Sequence, residues 1–169
     1  MKLKTLTRMG LLSAVALIMF MVEAQIPVPV PVPGIKLGLA NIVTIFAVWV
    51  MGPWQGVGVL AARVFLGAVF SGNFGTIFYS AAGGALAILT AIGLKQRLKQ
   101  DQVWVAGCLG AVAHSIGQMG AAIVLTATPG LAVYLPVMIA CGLVTGLFTG
   151  LCAQLLVNRG KNFWKTTFR

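Results

Sequence analysis

The stretch VWVAGCLGAVAHSIGQMGAAIVLT, residues 103–126, runs 24 residues without an Asp, Glu, Lys or Arg. As a helix it reaches about 36 Å, enough to cross a hydrocarbon layer of about 30 Å. Comparable apolar runs lie on both sides of it, at about 9–26, 37–52, 54–71, 75–94 and 132–157. Together they predict six spans in a single transmembrane domain covering residues 1–169. The expected fold class is all-α: a polytopic membrane protein, a six-transmembrane-helix bundle. A β-barrel would alternate apolar and polar residues over strands of about 10 positions, and these runs do not alternate.

Composition points the same way. Of 169 residues, 59% are hydrophobic and 8% are charged, against about 25% charged in an ordinary soluble domain. The mean hydropathy is +0.99. A soluble enzyme, a disordered tail and a nucleic-acid module all need more polar surface than this, so the expected partner is the lipid bilayer and not nucleic acid. Gly52-Pro53 separates the second and third runs as a tight turn, and Thr126-Ala127-Thr128-Pro129-Gly130 separates the fifth and sixth.

Lys and Arg number 12 and Asp and Glu number 2, a net charge of +10. Lys2, Lys4 and Arg8 precede the first run, Lys95, Arg97 and Lys99 lie between the fourth and fifth, and Arg159, Lys161, Lys165 and Arg169 follow the sixth. Cytoplasmic loops retain Lys and Arg, so six spans put all three clusters inside. The expected location is a bacterial cytoplasmic (inner) membrane, crossed several times, with both termini cytoplasmic and only Lys36 in an outer loop. The first run also satisfies the small-residue rule for signal-peptide cleavage, at Val22-Glu23-Ala24 before Gln25. Retention is expected, since cleavage would delete the one acidic residue at membrane depth.

An ionisable side chain in hydrocarbon costs about 2.5 to 3.5 kcal/mol even on lenient scales. Glu23 and Gln25 fall near the outer end of the first span, Asn41 near the outer start of the second, and Arg63 at mid-depth of the third, which ends at Ser71-Gly72-Asn73. His114 is at mid-depth of the fifth span, with Gln118 one turn further out on the same face. Polar groups from four spans thus gather in the outer half. Two readings stay open: Glu23 neutralises Arg63 or Lys36 while His114 and Gln118 bond across helices, or the same groups line a ligand cavity open to the outside. The second reading gives a small-molecule substrate, polar or anionic, and the candidate binding residues Glu23, Lys36, Asn41, Arg63, Asn73, His114 and Gln118.

From Pro27 to Pro33 proline alternates with valine, which excludes helix and gives a stiff extended strap of on the order of 20 Å. It reads as a connector or as a lid over the cavity mouth. Gly142, Gly146 and Gly150 recur every four residues, a flat stripe for internal helix packing, and Gly10 and Ala14 form a smaller one facing a partner subunit.

No catalytic constellation is expected. One Asp and one Glu cannot supply a magnesium-binding acidic motif, and Asp101 is remote from Glu23. His114 and Ser115 are neighbours on one helix and point apart. Cys108, Cys141 and Cys152 lack paired spacing and read as buried packing residues, not metal ligands. Gly56-Val57-Gly58-Val59-Leu60-Ala61 follows no strand, so it is not a dinucleotide site, and no Walker A sequence is present. Neither a metal nor a cofactor is expected.

Several stretches carry a family resemblance: EAQIPVPVPVPGIKLGLANIVTIFAVWVMGP at 23–53, ARVFLGAVFSG at 62–72, FYSAAGG at 78–84, GAVAHSIGQ at 110–118, YLP at 134–136 and GLVTGLFTGL at 142–151. The chain resembles, over nearly its whole length, the Gx transporter family, whose members are also labelled heptaprenyl diphosphate synthase component I. The resemblance implies kinship with the S components of energy-coupling factor transporters. Those are six-helix proteins that capture micronutrients from outside and dock on a shared coupling transmembrane subunit with an ATPase. Their first helix offers an Ala-x-x-x-Ala face to that subunit, and Gly10-x-x-x-Ala14 is the nearest counterpart here. The other family label implies a non-catalytic membrane subunit in prenyl diphosphate or quinone metabolism, or in a redox assembly.

Overall fold

In hydrocarbon each backbone N–H and C=O has to be satisfied within the protein, so an apolar chain of this kind folds into helices. The structure is a computed structural model that describes residues 3–26 and 38–167. It contains α1 (Leu3–Glu23), α2 (Asn41–Val50), α3 (Pro53–Ser71), α4 (Thr76–Lys95), α5 (Val103–Thr126) and α6 (Leu135–Thr167). Short 3-10 turns cover Gln100–Gln102 and Pro129–Tyr134. Among the described residues there is no strand, and α1, α3, α4, α5 and α6 are each long and apolar enough to cross a membrane. The chain is a helical membrane bundle.

The expected second span needs correction. Its helix covers ten residues, about 15 Å, half the hydrocarbon thickness. Gly38 takes φ +88 and residues 39 and 40 turn, so helix begins only at Asn41. At the far end Gly52, at φ +122, donates its N–H to the Ala47 carbonyl, and Pro53 starts α3. Every residue of α2 from Asn41 to Trp49 is buried, and α2 touches all five longer helices. It is the axis of the bundle, which a short, uniformly apolar helix suits.

Other limits differ less. α1 starts at Leu3 instead of about 9, and α6 continues to Thr167 instead of ending near 157. Hydropathy marks where a membrane would end, whereas a helix continues while its hydrogen bonds do.

Close seams join α4, α5 and α6. A Cβ on Gly107 would lie 2.3 Å from the Gly150 Cα, and one on Gly117 would lie 2.6 Å from the Ala82 oxygen. Backbones at these points touch directly, so the Gly142, Gly146 and Gly150 stripe is an internal contact, as its spacing predicts. Cys108, Cys141 and Cys152 are free and half-buried instead of fully buried, because the glycines hold the centre of the contact.

Three contacts fix which ends coincide. Met9 of α1 packs at Gly58 near the start of α3, and the Lys95 Nζ at the end of α4 donates to the Val48 carbonyl near the end of α2 at 2.6 Å. The Trp104 N–H at the start of α5 donates to the Gln154 Oε1 of α6 at 3.3 Å. Arg8, Lys95, Arg97, Lys99 and Arg159 therefore share one end of the bundle. Just inside that end, Ile45, Trp49, Ile88, Val103, Ala106 and Val157 belong to a continuous apolar core.

Candidate functional site

At the opposite end, the last residue of α1 meets the chain entering α2. The Gly38 N–H donates to the Glu23 Oε1, and the Gly38 carbonyl accepts from the Asn41 N–H at 2.9 Å, starting the helix. The carboxylate thus ties α1 to the head of the central helix. Arg63 comes from mid-α3, Ser80 from the first half of α4, and His114 and Gln118 from successive turns of α5. With Glu23, Gly38 and Phe20 they line one cavity.

Burial here is nearly complete: Glu23 is 2% exposed, Arg63 3%, His114 4% and Gln118 1%. Glu23 interacts electrostatically with Arg63, and Arg63 with His114. Among the described residues the Arg63 Nε and the His114 Nδ1 have no hydrogen-bond partner of good geometry, the His114 ring lying against the Gly83 backbone. Unpaired buried donors and acceptors cost about 1 to 3 kcal/mol each, so these are places where a ligand or a water would be held. The cavity measures about 10 Å³, room for about one water molecule.

Glycine makes the arrangement sterically feasible. A Cβ on Gly83 of α4 would lie 2.9 Å from two ring atoms of His114 and 2.8 Å from the Gln118 Cγ. One on Gly67 would lie 2.8 Å from the Phe20 ring. The bare backbones leave width for the two polar side chains and for the aromatic wall beside them.

Of the residues singled out from the sequence, Glu23, Arg63, His114 and Gln118 share this cavity. Asn41 is buried beside Gly38 but lines a second hollow further along α2. Asn73 is a correction: it is exposed in the α3–α4 turn, where its Oδ1 accepts from the Gly75 N–H at 3.1 Å. An Asn after a helix-ending glycine is held by that local Asx geometry and does not reach the site. Gln25 is exposed. Lys36 and the strap from Pro27 to Pro33 lie outside the described residues. Among the described residues, its own helix backbone aside, nothing stands within 4 Å of where a Gly10 Cβ would be, and Ala14 is exposed. His114 and Ser115 do face apart, since Ser115 donates to the Met138 carbonyl of α6 at 3.4 Å.

Sequence reasoning missed Ser80 and Thr44. Thr44 had a usable signal, being one turn from Asn41 on the same face. Ser80 had little, because a serine in an apolar helix is ordinarily satisfied by its own backbone.

Comparison with curated proteins and with solved structures gives no match. The family model described as Heptaprenyl diphosphate synthase component I matches residues 12–156. These residues include Glu23, Arg63, His114 and Gln118 together with all of α2 to α5, so the chain belongs to that family.

Proposed function

We propose that the protein is a membrane transport subunit that captures a small polar or anionic solute at the outer face, in the manner of an energy-coupling factor S component. The observation that carries this reading is the burial of Glu23, Arg63, His114 and Gln118 around one hollow, at the end of the bundle opposite the basic residues. With the basic end cytoplasmic, as the retention of Lys and Arg favours, the hollow opens outward in a bacterial inner membrane. An arginine with an unpaired Nε suits a ligand that accepts hydrogen bonds, such as a carboxylate. Capture requires the site to widen, and the joint between Glu23 and Gly38 is where α1 and the start of α2 would part. The reading assigns the chain no catalysis. Energy for release inward comes from a coupling transmembrane subunit with an ATPase, and the open face of α1 at Gly10 and Ala14 supports docking there.

Native mass spectrometry of gently extracted protein tests this. A small-molecule adduct is expected on the wild type and is expected to be lost in Arg63→Ala and His114→Ala variants that still unfold cooperatively. An adduct retained by both folded variants would remove these residues from the site. The family description supports a second reading, a non-catalytic membrane subunit for prenyl diphosphate synthesis. Co-isolation with a soluble prenyltransferase instead of an ATPase would favour it.

A further inference from the structure

The second hollow lies one to two helical turns nearer the basic end. At the head of α2 the lining moves from Gly38 to Asn41, Thr44 and Ile45, on α4 from Ser80 to Ala87, Ile88 and Ala91, and on α5 from His114 to Ala111, Gly110 and Gly107. It too measures about 10 Å³. Asn41 and Thr44, 6% and 4% exposed, are its polar residues, and among the described residues the Asn41 Nδ2, the Asn41 Oδ1 and the Thr44 Oγ1 all lack a hydrogen-bond partner.

Thr44 is unusual in this bundle. Thr90, Thr126 and Thr145 each return their hydroxyl to a carbonyl four residues back, at 2.8, 2.8 and 3.0 Å. That bond is the default for a helical threonine. Thr44 forgoes it, and Asn41 beside it forgoes four possible bonds. Two adjacent polar side chains left unpaired around one hollow are the mark of a site that something else completes. Among the described residues nothing ionisable lines this hollow, and the walls facing Asn41 and Thr44 are Ala87, Ile88 and Ala91 of α4 and Gly107, Gly110 and Ala111 of α5.

We infer that the hollow at Asn41 and Thr44 is a neutral subsite, filled by water in the unliganded protein and, once it widens on binding, by an uncharged amide-like end of the ligand. Rotatable donors and acceptors on both residues match a group that itself donates and accepts, such as a carboxamide or lactam. The charged cavity at Arg63 lies about 5 to 10 Å away along the helices. This inference rests on the uptake reading, since it places the ligand's anionic end at Arg63. The substrate class is then a short monoanion whose far end is a flat, uncharged, amide-bearing group.

Two probes of similar shape separate the outcomes: 4-carbamoylbenzoate and 4-isopropylbenzoate, with binding measured by calorimetry on the purified full chain. Wild type is expected to bind the carbamoyl compound about tenfold more tightly. Asn41→Leu is expected to abolish that preference and Thr44→Val, which keeps the side-chain shape, to reduce it several-fold. Arg63→Ala is expected to weaken both probes alike and leave their ratio intact. Equal wild-type affinities, no binding of either probe, or a ratio that survives in both Asn41→Leu and Thr44→Val would overturn the subsite. Equal affinities that still fall in Arg63→Ala would overturn the subsite alone. Binding that ignores Arg63 altogether would take the uptake reading with it.

Discussion

Gly38 combines a φ of +88 with a neighbour that leaves no room for a side chain: a Cβ there would stand 2.9 Å from the Asn41 Nδ2. Its N–H also donates to the Glu23 carboxylate. Gly38→Ala is therefore expected to lower stability by about 1 to 2 kcal/mol from backbone strain alone, read as a lower thermal midpoint in detergent. Gly10→Ala, in open space within α1, is expected to be neutral or to stabilise by about 0.5 to 1 kcal/mol. Comparable losses in both variants would show that the strain at Gly38 is not what matters. The contrast also shows how far single residues were legible. Glu23, Arg63, His114 and Gln118 stood out because their side chains are costly in an apolar run, and cost demands a partner. Asn73 stood out for the same polarity, but a residue beside a turn meets water and carries no such demand. Thr44 and Ser80 were silent, since whether a hydroxyl bonds its own helix is decided by tertiary packing.

Among elements, α5 was read from the sequence to the residue, because Gln100-Asp101-Gln102 and Ala127 bound an unbroken apolar run. α2 was not. Hydropathy counts apolar residues without regard to backbone direction, and the turn at 38–40 is as apolar as the helix it precedes. The short helix then ends where Pro53, lacking an N–H, begins the next one, and the Gly52 N–H goes to Ala47. The Val48 carbonyl is thereby left for Lys95, which supplies a bond from α4 at 2.6 Å. A basic side chain near the membrane edge thus fastens the end of the central helix. Lys95→Met keeps the stem and loses the donor, and is expected to cost about 1.5 to 3 kcal/mol. Chemical unfolding of the purified protein checks this, and an unchanged midpoint would mean that water serves the Val48 carbonyl equally well.

Over the whole molecule, α1 is the element with two allegiances. Among the described residues it packs on α2 and α3 and on no other helix, while its last residue reaches into the polar cavity. Its outer face is open: Leu11, Val15 and Ile18 are exposed, and Gly10 and Ala14 leave a shallow place where another helix can approach closely. Parting of Glu23 from Gly38 would change the tilt of the same helix that offers this face, so in the proposed uptake role occupancy of the site and docking of a coupling subunit would share one lever. Gly10→Leu separates the two roles. A Cβ there has open space among the described residues, unlike one at Gly58, which would crowd Met9. The variant is expected to fold and to bind solute as the wild type does, while co-isolation with a coupling subunit falls about tenfold, the scale of about 1.4 kcal/mol lost from a helix contact. Undiminished co-isolation would place the coupling surface elsewhere on the bundle, and weakened solute binding with docking intact would show that α1 answers to the lipid around Gly10 and not to a partner.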